Sequence, residues 1–426
     1  MGILIDIGSF IKLQRTKKDM TQGELAKGIV SLSYLSKIEN KKTEASPEII
    51  QMLCTRLGVQ LNNDLDMTIQ EKCKEWYSIL FESTDKEKII ATYQEIQELM
   101  NSNLSENLLM FEIHKIRYHL VLGEQDAALD KINELNEMAD SFDHLQQYYW
   151  YKFRGNYNST IGEFNQAIKL YKLAEEKVNK VDIEEAEIAD LHYIMAVTHS
   201  KLRNTLEVID FAEKALEIYM KEYNFRRCAQ SHIVLGISYR RIKMYEKAIK
   251  NYNLARHLGE LNKDKSVIQL TNLNLGYLHS AIGNSREAIQ YFMEVSEDEE
   301  VSRYQRLAAI TSLIKEYYED SNSHEEMEET ITKAFEIAET VKDEMSYKLF
   351  YYMIHTYNYA TKGEYEKFRS LVIEEFIPYL KEQKDYANLV VYSNMLAAHF
   401  ESIGKYKDSV KYYKLANSTY EELINL

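Results

Sequence analysis

Only two prolines occur in 426 residues, and glycine is held to 14. Proline breaks helices and glycine supplies the positive-φ turns of hairpins, so their scarcity excludes a fold built from many short strands. With Leu, Glu, Lys, Ala and Tyr abundant, the predicted fold class is all-α. Cysteine is scarce too. Cys54, Cys73 and Cys228 are odd in number, far apart and set in helical patterns, which fits reduced, buried thiols better than a disulfide frame or a zinc site. No apolar run approaches the ~18 residues of a membrane span. A basic segment followed by an apolar core and a cleavage site is missing as well. Met1-Gly2 leads into Ile-Leu-Ile-Asp, without the Ser or Thr of an acylation signal. Together these absences predict a cytoplasmic protein without a membrane partner.

Signatures of chemistry are equally absent. The eleven histidines show no HExxH or other metal spacing, no glycine-rich phosphate loop occurs, and no Ser or Cys sits in a nucleophile motif. No catalytic residue, cofactor or metal is expected.

What is present falls into two parts. A chain of this length exceeds one ordinary core, so several packing units or an extended repeat array are expected, and the helical composition favours the array. Charge is uneven. Residues 1–62 carry nine Lys/Arg against six Asp/Glu, while the whole chain stands at −15. The head suits a polyanion and the body would be repelled by one.

Within the head, Thr21 and Glu24 form a capping box ahead of Leu25-Ala26, and this short helix ends near Gly28. Ser31 caps the next helix, whose Leu35 and Ile38 point inward while Leu32, Ser33, Ser36 and Lys37 share the outer face. Ser46-Pro47 starts a further helix running through Leu57. Two short helices joined by a tight turn predict a helix-turn-helix. Lys37, Lys41 and Lys42 suit phosphates, and Gln22 and Ser33 suit phosphate or base edges. The alternative is a head that docks only onto protein.

The motifs Gly8-x-x-Ile11-Lys12-x-x-Arg15, Met20-Thr21-Gln22-x-Glu24-Leu25-Ala26 and Ser36-Lys37-Ile38-Glu39-Asn40 together resemble the Cro/C1-type DNA-binding domain. That resemblance implies DNA contact by Gln22, Leu32, Ser33 and Lys37, and an internal salt bridge between Arg15 and Glu39. The inter-helix turn is a residue shorter than usual in that domain. In this it is similar to the heads of peptide-pheromone regulators of Gram-positive bacteria.

The body rhymes with itself. Gly155, Ala196, Gly236 and Gly276 are spaced by 41, 40 and 40 residues. Each leads into a second helix: Ala167-x-x-x-Tyr171-x-x-Ala174, Val208-x-x-x-Ala212-x-x-Ala215, Ala248-x-x-x-Tyr252-x-x-Ala255 and Ala288-x-x-x-Phe292-x-x-Val295. Small residues at a helix crossing with an aromatic filling the hole are the tetratricopeptide (TPR) signature. Ile116 with Gly123 and Ala128 leads one weaker copy. Thr356 with Gly363, and Ala397 with Gly404, Tyr413 and Ala416, close the array, and residues 304–340 should hold another pair. A right-handed superhelix is expected, its concave wall made by the first helix of each pair. Acidic runs at 296–300 and 324–329 read as solvated loop ends, and the tyrosine excess as repeat packing.

Glu75-Trp76-Tyr77, Phe153-Arg154-Gly155-x-Tyr157 and Asn274-Leu275-Gly276 resemble segments of the Rap, NprR, PlcR and PrgX group of signalling-peptide receptors. Head plus body is similar to the NprR branch, which has both parts. The resemblance implies that Asn274 holds a peptide main chain. A side-chain amide carries both a donor and an acceptor, so it pairs with any peptide unit. Projecting the inner helix face through the repeats adds Arg117, Asn156, Tyr193, Arg240, Tyr277 and Asn394. Arg117 and Arg240 suit a carboxylate, and Tyr193 and Tyr277 suit apolar side chains.

The expected organisation is a helix-turn-helix domain over 1–62, a linker and first hairpin over 63–105, and a TPR peptide-binding domain over 106–426. The expected function is a quorum-sensing transcription regulator, its partners double-stranded DNA, a short imported peptide and a second copy of itself in a homodimer or higher oligomer. The alternative is a Rap-like modulator that binds or dephosphorylates a response regulator through a water-orienting glutamine. The segment 102–107, where that glutamine belongs, contains none, which leaves Gln94 or Gln97 as substitutes.

Overall fold

The structure, a computed structural model, describes residues 7–40, 42–59, 63–82, 85–102, 105, 107–320, 323–342 and 347–425. Every regular element among the described residues is helical. None of those helices is long and apolar enough to cross a membrane. The chain forms two compact units, one through Leu191 and one from His192.

The first unit opens with the head: α1 (Ile7–Lys17), α2 (Gln22–Ala26), α3 (Leu32–Glu39) and α4 (Pro47–Arg56). The expected signals start these helices. Thr21 and Glu24 exchange both capping-box bonds, Ser31 Oγ accepts from the Tyr34 N–H and Ser46 Oγ from the Ile49 N–H, and Gly28 ends α2 at φ +74°. A Cβ on Gly8 would lie 2.0 Å from the Ile38 carbonyl oxygen, so only glycine lets α1 lie against α3.

Three hairpins follow: α5 (Asn63–Glu82) with α6 (Lys86–Ser102), α7 (Leu108–Leu122) with α8 (Gln125–Asn136), and α9 (His144–Thr160) with α10 (Phe164–Val178). Trp76, fully buried, anchors the first, its ring among those of Tyr93, Phe111 and Tyr118 at 5.8, 5.1 and 5.7 Å. Its indole N–H donates to the Ile89 carbonyl. Helix α11 (Glu185–Lys201) runs across the division between the units.

The second unit continues the pattern with α12 (Thr205–Lys221), α13 (Phe225–Arg241), α14 (Tyr245–Leu261), α15 (Lys265–Ala281), α16 (Ser285–Ser296), α17 (Arg303–Glu319), α18 (His324–Glu339) and α19 (Tyr347–Thr361). Then come α20 (Tyr365–Ser370), a π-helical turn over Leu371–Phe376, α21 (Ile377–Glu382), α22 (Tyr386–Ser402) and α23 (Tyr406–Asn425). Consecutive first helices α13, α15 and α17 pack side by side.

The repeat signature has a direct steric meaning. A Cβ on Gly155 would lie 2.3 Å from the Tyr171 ring, one on Gly236 2.4 Å from Tyr252, and one on Gly276 2.5 Å from Phe292. Each ring sits sixteen positions beyond its glycine and occupies the space a side chain would take. In the Ala196 copy, Ala212 stands where the ring would be, and both are fully buried. The last hairpin departs from expectation. Tyr413 is 39% exposed and donates to Glu401, because Ala397 already fills the hole; Tyr412 packs on Phe400 instead. Seven positions after each small residue the first helix ends in a left-handed residue: Gly123, Gly162, Gly283, Gly363 and Gly404, with Arg203 and Lys243 at the same place in two copies. The three thiols are buried in α4, α5 and α13, and burial pushes the Cys54 thiol up to about 11.

Gly236→Ala should destabilise the protein by about 1–3 kcal/mol through overpacking against Tyr252. Adding Tyr252→Ala, which recreates the Ala196/Ala212 pairing, should cost clearly less than the sum of the two single changes. Urea unfolding of the four proteins of this cycle measures the coupling, and strict additivity would show that the glycine and the ring do not interlock.

Candidate functional site

Two surfaces gather the residues singled out from sequence. The first is the outer face of α3. Leu35 and Ile38 are buried, while Leu32 is 57% exposed and Ser33 and Lys37 lie in solvent beside it. Lys42 is exposed just beyond the helix, its N–H bonded to the Lys37 carbonyl at 2.8 Å; Lys41 lies outside the described residues. The face therefore offers a methyl-bearing chain, a hydroxyl and two ammonium groups, which match a thymine methyl, base edges and phosphates respectively.

Behind that face lies a buried knot. Glu39, 2% exposed, accepts from Arg15 Nε at 2.7 Å and from a second guanidinium nitrogen at 3.0 Å. A third donates to the Met20 carbonyl. The same carboxylate accepts from Gln22 Nε2 at 2.7 Å. The domain resemblance implies a DNA contact for Gln22 and does not reveal this tie. Its amide is held at the end of α3, so Gln22 couples the start of α2 to α3.

The head is oriented in turn by a fully buried carboxylate of α7. Glu112 pairs with Lys17 of α1, with Lys115 at 3.0 Å and with Lys131 of α8 at 2.9 Å. Burial pushes its carboxyl up, but the three ammonium groups outweigh that and hold it down at about 2. Lys115 also donates to Gln97 Oε1, which accepts from Tyr93 as well. Gln97 is thus engaged internally, whereas Gln94 is exposed. Glu112 was missed from sequence; its one visible signal is a lone acid inside the apolar run Leu108–Leu122.

The second surface is in the second unit. Asn274 on α15 is 6% exposed. Its Nδ2 donates to the Leu270 carbonyl at 2.8 Å, which fixes the amide against its own helix. Tyr277 follows one turn on, with the Arg240 guanidinium of α13 5.9 Å from its ring. Burial raises the Tyr277 phenol, and Ser312 of α17 hydrogen-bonds to it. Three adjacent first helices thus carry one strip, Arg240, Tyr277 with Asn274, and Ser312. Tyr193 on α11 lies 5.5 Å from the Arg227 guanidinium, and Asn394 is exposed on α22.

Two further candidates belong to the first unit. Arg117 is half-buried with its guanidinium 5.5 Å from the Phe81 ring. Asn156 is 8% exposed and its Oδ1 accepts from the Tyr171 hydroxyl at 2.9 Å. That bond ties Asn156 to the ring that the Gly155 gap admits.

Residues 11–62 match the helix-turn-helix family model, and residues 161–374 match that of the soluble NSF attachment protein, SNAP. The transcriptional activator NprA of Geobacillus stearothermophilus is 33% identical over 411 residues, covering 94% of this chain and all of the relative. Response regulator aspartate phosphatase E of Bacillus subtilis is 26% identical over 371 residues, 80% of this chain and 92% of the relative. The apo form of the quorum sensor NprR from B. thuringiensis shares the fold at a TM-score of 0.70 and 20% identity, over 84% of this chain and 99% of NprR. NprR in complex with its cognate peptide NprX does so at 0.61 and 21%, over 84% and 98%.

The buried cluster predicts an acid-sensitive head mount. Because the folded value for Glu112 lies near 2, below its ordinary 4.5, its contribution is complete above about pH 4.5 and is lost as pH falls towards 2. Glu112→Gln should cost about 3 kcal/mol at pH 7, since three ammonium groups lose their counter-charge. Urea unfolding at pH 7 and pH 3 should find the gap between wild type and variant narrowing at the lower pH.

Proposed function

The chain belongs to the family of the transcriptional activator NprA, carrying a helix-turn-helix and a helical repeat domain of the soluble NSF attachment protein type, and from that membership we propose that it is a peptide-gated transcription regulator. The head binds double-stranded DNA, and the first helices of the second unit bind a short signalling peptide that controls this binding from within the cytosol. The observation that carries the reading is the presence in one chain of an exposed polar recognition face on α3 and of the Arg240–Tyr277–Asn274 strip. The likeness of fold to NprR, whose solved complex holds its peptide NprX, supports it. One head makes few base contacts, so a homodimer presenting two heads to two half-sites is the working form.

A response-regulator role draws support from the similarity to phosphatase E. It asks for a glutamine free to orient water. Gln97 is held by Lys115 and Tyr93, Gln94 is exposed, and part of the segment 102–107 lies outside the described residues. Release of phosphate from a labelled response regulator is the measurement for that role.

Lys37→Ala should weaken operator binding by about 1–3 kcal/mol where the lysine reads a base, and by less, with a salt slope shallower by about one, where it meets phosphate. Fluorescence anisotropy on fragments of the neighbouring promoter at several salt concentrations separates the two. Identical binding of wild type and variant to every fragment would remove α3 from the interface.

Asn274→Ala should lower peptide affinity by about 5- to 150-fold by leaving a peptide donor or acceptor unmatched. Calorimetry with short peptides from the C-termini of small exported reading frames beside the gene measures it. DNA binding without peptide and helical content should stay as in wild type. Lost affinity accompanied by unfolding would instead make Asn274 a packing residue.

A further inference from the structure

One feature of the second unit exceeds what main-chain recognition requires: three arginines converge at one end of the strip. Helix α13 ends in Arg240 and Arg241. Arg203 occupies the left-handed turn position after α11, at φ 62°, where most copies of the repeat have glycine. Arg241 donates to the Ser200 carbonyl at 2.6 Å and to its hydroxyl at 3.1 Å, which brings the end of α13 against the end of α11. Arg240 lies over Tyr277, and its guanidinium also hydrogen-bonds with the Tyr252 hydroxyl. All three side chains are half-buried.

Their mutual repulsion is legible in the protonation equilibria. Burial pushes the Arg241 guanidinium down to about 10, with Arg203 and Arg240 adding to it. Arg203 is lowered by burial and by Arg240, and supported by Asp385. That carboxylate is already occupied, accepting from the Asn388 N–H and side-chain amide at 3.2 and 2.6 Å. Three guanidinium groups around one engaged carboxylate leave a net positive, partly dehydrated patch beside Tyr277. Such a patch is stabilised by a bound anion.

We propose that Arg240, with Arg203 and Arg241 behind it, forms a carboxylate subsite that holds an acidic group of the bound peptide next to the Asn274–Tyr277 segment. The inference rests on the peptide-binding reading above and adds the charge of the ligand to it. Two sources share this chemistry: an Asp or Glu side chain and the peptide's terminal carboxylate.

The test uses the full chain and randomised, fluorescein-labelled heptapeptides prepared in four pools: with or without Asp and Glu, each as free acid or C-terminal amide. The carboxylate-bearing pools should bind about 10- to 100-fold more tightly than the neutral pool. Preference for the Asp/Glu pools assigns a side chain, and preference for the free acids assigns the terminus. Arg240→Met should bring the ratio of carboxylate to neutral binding towards one, with Arg240→Lys intermediate, whereas Asn274→Ala should weaken every pool and keep the ratio. Unequal melting temperatures would shift all pools alike and leave the ratio readable. Equal binding of charged and neutral pools by wild type overturns the carboxylate subsite alone. No binding in any pool overturns the peptide reading and the subsite with it.

Discussion

A side chain missing from one helix and a ring supplied by the next set the register of the hairpin stack. Where Gly155, Gly236 and Gly276 omit a Cβ, Tyr171, Tyr252 and Phe292 enter the gap, and the first helix can neither rotate nor slide without expelling a ring. Positions counted from the glycine then recur at the same place in each hairpin. Four residues on, Arg240 follows Gly236 and Ser200 follows Ala196, and Arg241 reaches that serine across the interface. One residue on, Tyr277 follows Gly276 and meets Arg240. The Arg240–Tyr277–Asn274 strip follows from this interlock, because the packing that buries the rings decides which polar residues are left to face one another.

Charge does complementary work in the first unit, where the repeat signal is weaker. Glu112, one buried carboxylate, is matched by three ammonium groups. Lys152, fully buried, is matched by Glu187 at 2.6 Å and Asp190 at 2.9 Å. Burial lowers the Lys152 ammonium, and the two carboxylates outweigh it and raise it well above the ordinary value. Such clusters add little net stability over apolar packing, because desolvation cancels most of the attraction. Their contribution is geometric. A fully buried carboxylate needs its counter-charges in place, so Lys17 on Glu112 ties α1 to α7.

The same contrast explains which functional residues were readable. Along α2 and α3 every expected cap formed, since capping joins residues three apart and depends on nothing distant. Arg15 met Glu39 as the domain resemblance implied. Gln22 joined them, a third participant that no local rule reveals, because its partner lies on another helix. Asn156 gained a partner that its position in the repeat does not reveal, the hydroxyl of Tyr171 admitted by the neighbouring glycine.

The all-helical class, the exposed outer face of α3 and the forty-residue repeat with its glycine gaps were determined by the sequence alone. All three arise from periodicity and from contacts within a few residues, where side-chain size and hydrogen-bonding type leave one solution. Only the tertiary structure decided that Tyr413 stays outside while Tyr412 packs, that Glu112 mounts the head, and that Arg203 joins Arg240 and Arg241. Those outcomes depend on which groups distant helices bring within reach in a dehydrated interior. There the energy belongs to the assembled cluster and to none of its residues singly.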